Sequence, residues 1–479
     1  MPPRRIKPLA LAAGLAVFAG LLLLAPDSRA ARAGAVAALM AIWWIGEALP
    51  IHWTAAAPLV LFPLLGIFEG GLFSGLRRTV LPYIDPYIFL FAGGMAIAAA
   101  MQQWNLHRRI ALAVMRAIGA EPARLLLGSL AATAFISLWI SNTATAAMMF
   151  PIGLAVIAQL EAQAGGRRLA HYGMAIMLSI AYGSNVGGIG TKIGTAPNAL
   201  FSGFVERLGM EVTFLRFMAV GLPFVLMFLP VVWLALWRIG RRDQLAALEG
   251  GQAVEREWAK LGPMQAAERW VLAVFLATAA LWIAGKPLTD WVRERLPAAG
   301  SGHVEGGIAV AAALALLALR PGGQALLHPR SLRKVPWEAL ILLGGGFALA
   351  AGVQASGLSR AMAERLHILG DLPPFSQVLL ASLVTVAISA VASNTATITI
   401  MLVVLRDTVA PGILPTVLFA STIAASCDFA LPAGTPPNAI VFGSGYVTIP
   451  RMARTGAVLD LLAALLAAAW CWAVVPLVL

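Results

Sequence analysis

The pentapeptide Ser-Asn-Thr-Ala-Thr occurs twice, at Ser141–Thr145 and at Ser393–Thr397, and each copy interrupts an otherwise apolar run. Polar residues inside such runs are costly, because a bilayer core holds no water to satisfy them. The duplication is longer than the pentapeptide. AATAFISLWISNTAT (131–145) lies over LVTVAISAVASNTAT (383–397) at an offset of 252, and the same offset superimposes FAGGMAIAAAMQQWNLHRR (91–109) on LGGGFALAAGVQASGLSRA (343–361). A chain built this way has two related halves, each with its apolar run broken at the same place.

Composition sets the medium in which those halves fold. With 60% hydrophobic and 12% charged residues, the 479-residue chain reads as an all-α polytopic membrane protein of one unit rather than several soluble domains. A net charge of +12 raises nucleic acid as a partner, but the basic residues sit in short loops between apolar spans, as cytoplasmic loops require. Cys427 and Cys471 lie far apart without ligand spacing, which argues against a disulfide or zinc site. No catalytic acid/base or metal constellation and no Walker sequence is present, so neither a membrane-embedded enzyme nor an ATP-driven pump is expected. A duplicated, polar-interrupted hydrophobic chain points instead to a secondary transporter with its site where the repeats meet.

Loop charge orders the spans. Arg4, Arg5 and Lys7 ahead of an apolar run to Ala25 resemble a signal peptide, with Ser28-Arg29-Ala30 as a weak cleavage site. An uncleaved first span is preferred, because it gives a consistent topology with a cytoplasmic N-terminus and an external C-terminus in an inner (plasma) membrane. The segment 125–161 is flanked by Arg124 and by Arg167 and Arg168; both ends read as cytoplasmic and its polar midpoint as the tip of a re-entrant hairpin. The corresponding segment 374–407 lacks basic flanks, so the duplicated unit reads as inverted. The expected fold is an inverted repeat of about 11 transmembrane helices with two re-entrant hairpins. Residues 1–240 form the first repeat with its leading spans, 241–268 a cytoplasmic linker and 269–479 the second repeat. Broken spans are expected over 172–206 and 412–446, where Gly194-Thr195-Ala196-Pro197-Asn198 and Gly434-Thr435-Pro436-Pro437-Asn438 combine glycine with proline. Unwinding there frees carbonyls for a small hard cation and aims helix N-termini at an anion.

These paired Ser-Asn-Thr motifs, together with TPPNAIVFGSG at 435–445, resemble the divalent anion:sodium symporters that carry dicarboxylates, citrate or sulfate. The resemblance covers nearly the whole chain. It implies a homodimer with an elevator-type transport subdomain and no cofactor beyond sodium as coupling ion. By motif position it implies one sodium site at Ser137, Ser141, Asn142 and Gly194 and its symmetry mate at Ser389, Ala392, Asn394 and Gly434. Asn142, Thr143, Asn394 and Thr395 would hold the substrate carboxylates, with Thr195, Thr435 and Pro436 lining the pocket. The expected cargo is a C4-dicarboxylate such as succinate, carried with sodium, and the alternatives are sodium-independent exchange or a sulfate or citrate substrate. Lys192 and Asp428 fall inside the broken spans and are candidate coupling charges. They are expected to pair with one another, unless the Lys192 ammonium occupies the first cation site.

Overall fold

The computed structural model describes residues 7–245, 251–333, 335–358, 360–361, 370–432 and 434–479. The described residues form helices joined by short turns, without a strand. The leading helices are α1 (Pro8–Leu24), α2 (Arg29–Gly46), α3 (Ile51–Leu64), α4 (Gly71–Val80) and α5 (Pro86–Gln103), followed by α6 (Leu106–Ile118). The first polar-interrupted segment is α7 (Pro122–Ser137) and α8 (Asn142–Gln163), then come α9 (Ala170–Gly188), α10 (Ala196–Arg207) and α11 (Phe214–Gly240). After α12 (Gly251–Ala259), α13 (Ala266–Ile283), α14 (Lys286–Arg295), α15 (Ser301–Ala318) and α16 (Trp337–Ser356) the pattern recurs: α17 (Pro374–Ser389), α18 (Asn394–Thr408), α19 (Leu414–Ala425), α20 (Pro436–Phe442) and α21 (Ile449–Val478).

The residues at the interruptions explain the recurrence. Pro122 and Pro374 occupy the first turn of α7 and α17, where a missing N–H costs nothing. Both helices end on a serine, and both tips close in the same way. Ile136 O accepts the N–H groups of Trp139 and Ile140, and Ile388 O accepts those of Val391 and Ala392, all within 3.0–3.1 Å. Ser141 and Ser393 then take extended backbone, and α8 and α18 begin at the two asparagines. α9 and α10 are separated by a break at 189–195, and α19 and α20 by one at 426–435.

Seven helical stretches among the described residues are long and apolar enough to cross a membrane, and five shorter apolar helices include α7, α17 and the stretch ending in α19. The interruptions are what shorten those elements, so helix length alone does not count the crossings. α9 from Tyr172 onward and α19 from Thr416 onward are buried all round, as helices at the centre of a large bundle are. α7 and α8 pack on α9, and α17 and α18 pack on α19, so each hairpin rests on its own half. The short second pieces cross over: α10 reaches α18 and α20 reaches α8. Large apolar side chains such as Leu226 and Leu234 on α11, Leu276 and Leu281 on α13 and Leu461 and Leu465 on α21 remain exposed. Such a surface suits lipid rather than water.

The linker is more structured than a polar tether. α6 buries Leu106, Ala111, Leu112 and Met115, and its basic face meets acidic residues from the linker and the start of α13. Arg108 pairs with Glu257, Arg109 with Glu268 at 2.5 Å and Arg116 with Glu255 at 2.7 Å, while the Arg116 guanidinium lies 4.6 Å from the Trp258 ring centroid. Lys260 and Arg108 hold the Glu257 carboxyl below its usual range. Residues 359 and 362–369, between α16 and α17, lie outside the described residues.

Candidate functional site

In the first half, the hairpin tip and the broken span meet through small polar atoms. Ser137, fully buried at the end of α7, donates to Asn142 Oδ1 at 2.8 Å and also approaches Ser184 O at 2.7 Å. A side chain on Gly188 would run into the Asn142 amide, and one on Gly194 would run into the Gly188 carbonyl. Glycine at both positions is therefore what lets the tip and the break touch. Thr191 donates to Leu138 O of the tip and accepts from Gly194 N at 3.1 Å. Asn198 Nδ2 clamps the break by donating to Gly188 O at 2.9 Å and Thr191 O at 2.7 Å.

The second half repeats the construction. Ser389 donates to Asn394 Oδ1 at 3.0 Å and lies 2.6 Å from Ala425 O. Asn438 Nδ2 donates to Asp428 O at 3.1 Å and Leu431 O at 3.0 Å. Asn198 and Asn438 thus reach back over the same numbers of residues, ten and seven, at an offset of 240. Asn185 Nδ2 joins the halves, donating to Asp428 O at 3.1 Å and Thr435 Oγ1 at 3.2 Å.

Among the residues named from sequence, Ser137, Asn142 and Gly194 lie in one contiguous cluster, and Ser389 and Asn394 are hydrogen-bonded in the other. Ser141 and Ser393 precede α8 and α18 without a side-chain cap, and Thr195 likewise precedes α10. The first-turn amides of these three helices are not consumed by side-chain caps, which suits an anionic group. Thr395, Thr435 and Ala392 are buried, whereas Thr143 and Pro436 are exposed. The two halves therefore present their threonines differently.

One expectation is overturned. Lys192 does not pair with Asp428. Its ammonium donates to Glu305 on α15 at 2.7 and 3.0 Å and to Val212 O, with the Tyr87 ring 5.1 Å away. Glu305 is completed by Phe214 N at 2.6 Å. Lys192 leaves the break on the side facing α15, so its ammonium meets neither Asp428 nor the Ser137–Asn142 cluster. A carboxylate in the apolar run 304–320 was the sequence signal for this partner, but nothing in the sequence couples positions 113 residues apart. Asn185, Asn198 and Asn438, all fully buried, are the other contributors missed; each is a buried amide inside an apolar span. Asp460 on α21 accepts from Phe429 N at 2.8 Å through Oδ1.

With this geometry in view, comparison with known proteins is specific. The family model described as the sodium:sulfate symporter transmembrane region matches residues 7–478. The sodium-dependent dicarboxylate transporter SdcS of Staphylococcus aureus (strain USA300) is 37% identical over 459 residues, covering 93% of this chain and 86% of the relative. The same transporter from strain bovine RF122 / ET3-1 is 36% identical over the same length. Among solved structures, the YdaH transporter of Alcanivorax borkumensis, described as having an unusual topology, superposes with a TM-score of 0.54 over 92% of this chain and 98% of that one. At 13% identity that likeness concerns the fold alone. The fold is thus that of an all-helical, multi-pass membrane transporter rather than an enzyme, and the chain belongs to the divalent anion:sodium symporter family.

Proposed function

We propose that this protein imports a small dicarboxylate, a C4 compound such as succinate, by symport with sodium. The observation that carries the reading is the pair of matched clusters, each built from a hydroxyl and a side-chain amide at a hairpin tip and a carbonyl near the end of the helix that precedes the break. Hard alkali cations take such oxygen ligands. Ser137, Ser141, Asn142 and Gly194 would hold one sodium, and Ser389, Ala392, Asn394 and Gly434 the other. Asn142, Thr143, Asn394 and Thr395 would then receive the two carboxylates, with Thr195, Thr435 and Pro436 around them. Neutral donors plus sodium offset a dianion without a permanent arginine, which would slow release. A relative named as a sodium-dependent dicarboxylate transporter at 37% identity supports the same substrate and coupling ion. The engagement of Lys192 with Glu305 favours symport over exchange, because it leaves the first cluster without a fixed cation. The reading includes an elevator-type movement within a homodimer and opposite orientations of the two hairpins in the inner membrane, with the N-terminus cytoplasmic and the C-terminus outside.

Uptake of labelled succinate into proteoliposomes tests this. An inward sodium gradient should drive accumulation, replacement by choline should abolish it, and unlabelled citrate and sulfate should compete less well than succinate. Sodium-independent counterflow at full rate would instead establish exchange.

A further inference from the structure

Asp428 stands apart from the other buried charges among the described residues. Its side chain is fully buried, and among the described residues neither carboxylate oxygen has a hydrogen-bond partner and no basic group pairs with it. The nearest counter-charge expected from sequence, Lys192, is committed to Glu305. Asp460, the neighbouring acid, is held by Phe429 N. A buried carboxylate left alone is costly, so its position matters. By the offset that maps Asn198 on Asn438, Asp428 corresponds to Gly188. In the first half the Cα of Gly188 lies against the Asn142 amide, so a side chain there would meet the proposed cation ligands. The carboxylate itself occupies the space where a Cβ on Gly434 would lie. Gly434 is therefore the residue that makes room for it, and both sit in the break clamped by Asn438.

We infer that the Asp428 carboxylate is an anionic ligand of the second cation site, aimed into the break beside Gly434. The first site offers only neutral oxygens, because Gly188 stands where Asp428 does. The two sites are then chemically unequal despite the repeat: the second binds sodium more tightly and fills first. This rests on the sodium-coupled reading of the clusters.

Sodium binding by the purified full-length protein in detergent tests it, by thermal unfolding and by direct binding of labelled sodium, with choline keeping ionic strength constant. Asp428→Asn should weaken the tighter sodium-binding phase about tenfold or more, the loss expected for one charge-assisted contact. Without sodium the same variant should be at least as stable as the natural protein, because an unpaired buried charge has been removed; a purely structural carboxylate would give the opposite sign. Gly434→Ala should also weaken sodium binding, yet add nothing further when combined with Asp428→Ala. Sodium binding that is unchanged in Asp428→Asn would overturn this inference alone. Absence of any sodium effect in the natural protein would overturn the sodium reading as well.

Discussion

Asn142 and Asn394 each accept a hydroxyl proton on Oδ1 from the serine five residues earlier, which orients the amide toward the site. Removing either amide deletes a proposed ligand of cation and anion together, while the hairpin's backbone hydrogen bonds at Ile136 and Ile388 are untouched. Asn142→Ala and Asn394→Ala should therefore each lower sodium-driven uptake by about tenfold or more with little change in unfolding temperature. Near-normal uptake by either variant would remove these residues from the site. Lys192 presents the contrasting case of a residue whose loss is felt in stability. Lys192→Ala strands Glu305 in an apolar interior, and breaking a buried pair from one side costs about 3–5 kcal/mol. Lys192→Met combined with Glu305→Gln should recover most of that loss in thermal unfolding; simple additivity of the two single variants would show that the pair does not act as a unit.

Among the helices, α6 and the linker form a clamp on one end of the first half. Arg109 makes two bonds to Glu268 and a third to Gly262 O at 3.1 Å, and the Trp258 ring lies beneath both Arg109 and Arg116. The side chains of Arg109 and Glu268 are only 13% and 4% exposed, so this pair is worth more than a solvated one. Arg109→Ala should release the linker and raise the rate of limited proteolysis within 251–268 by roughly tenfold, as a loss of about 1.4 kcal/mol in local closure dictates. Cleavage at an unchanged rate would show that α12 is held by its apolar contacts alone.

For the whole molecule, the test of architecture is which side of the membrane each hairpin faces. Cys427 and Cys471 are both free and buried, so a cysteine-free background disturbs no bridge. In it, single cysteines at Arg124 and Arg167 should label from the cytoplasm, and those at Asp371 and Asp407 from outside. Labelling of both pairs from one side would end the inverted-repeat reading. α10 packs on α18 and α20 on α8, so the short helix after each break rests on the other half's hairpin.

The all-helical membrane class, the family and the positions of the interruptions were legible in the sequence because they are local or periodic properties. Apolar composition specifies the medium, proline and glycine specify where helices start and break, and a constant offset exposes duplication without knowledge of contacts. The grouping of Ser137 with Asn142 and of Ser389 with Asn394 came from the family resemblance alone, and the tertiary structure brings each pair within hydrogen-bond reach across its tip. What only the tertiary structure decided are the partners of single buried groups. Glu305 lies 113 residues from Lys192, and Asn185 bonds a threonine 250 residues away. In a bilayer each buried charge and amide takes whichever complementary group the packing delivers, and packing depends on how whole helices cross. The sequence announced that Lys192 and Asp428 were expensive; helix packing assigned one a carboxylate and left the other facing Gly434.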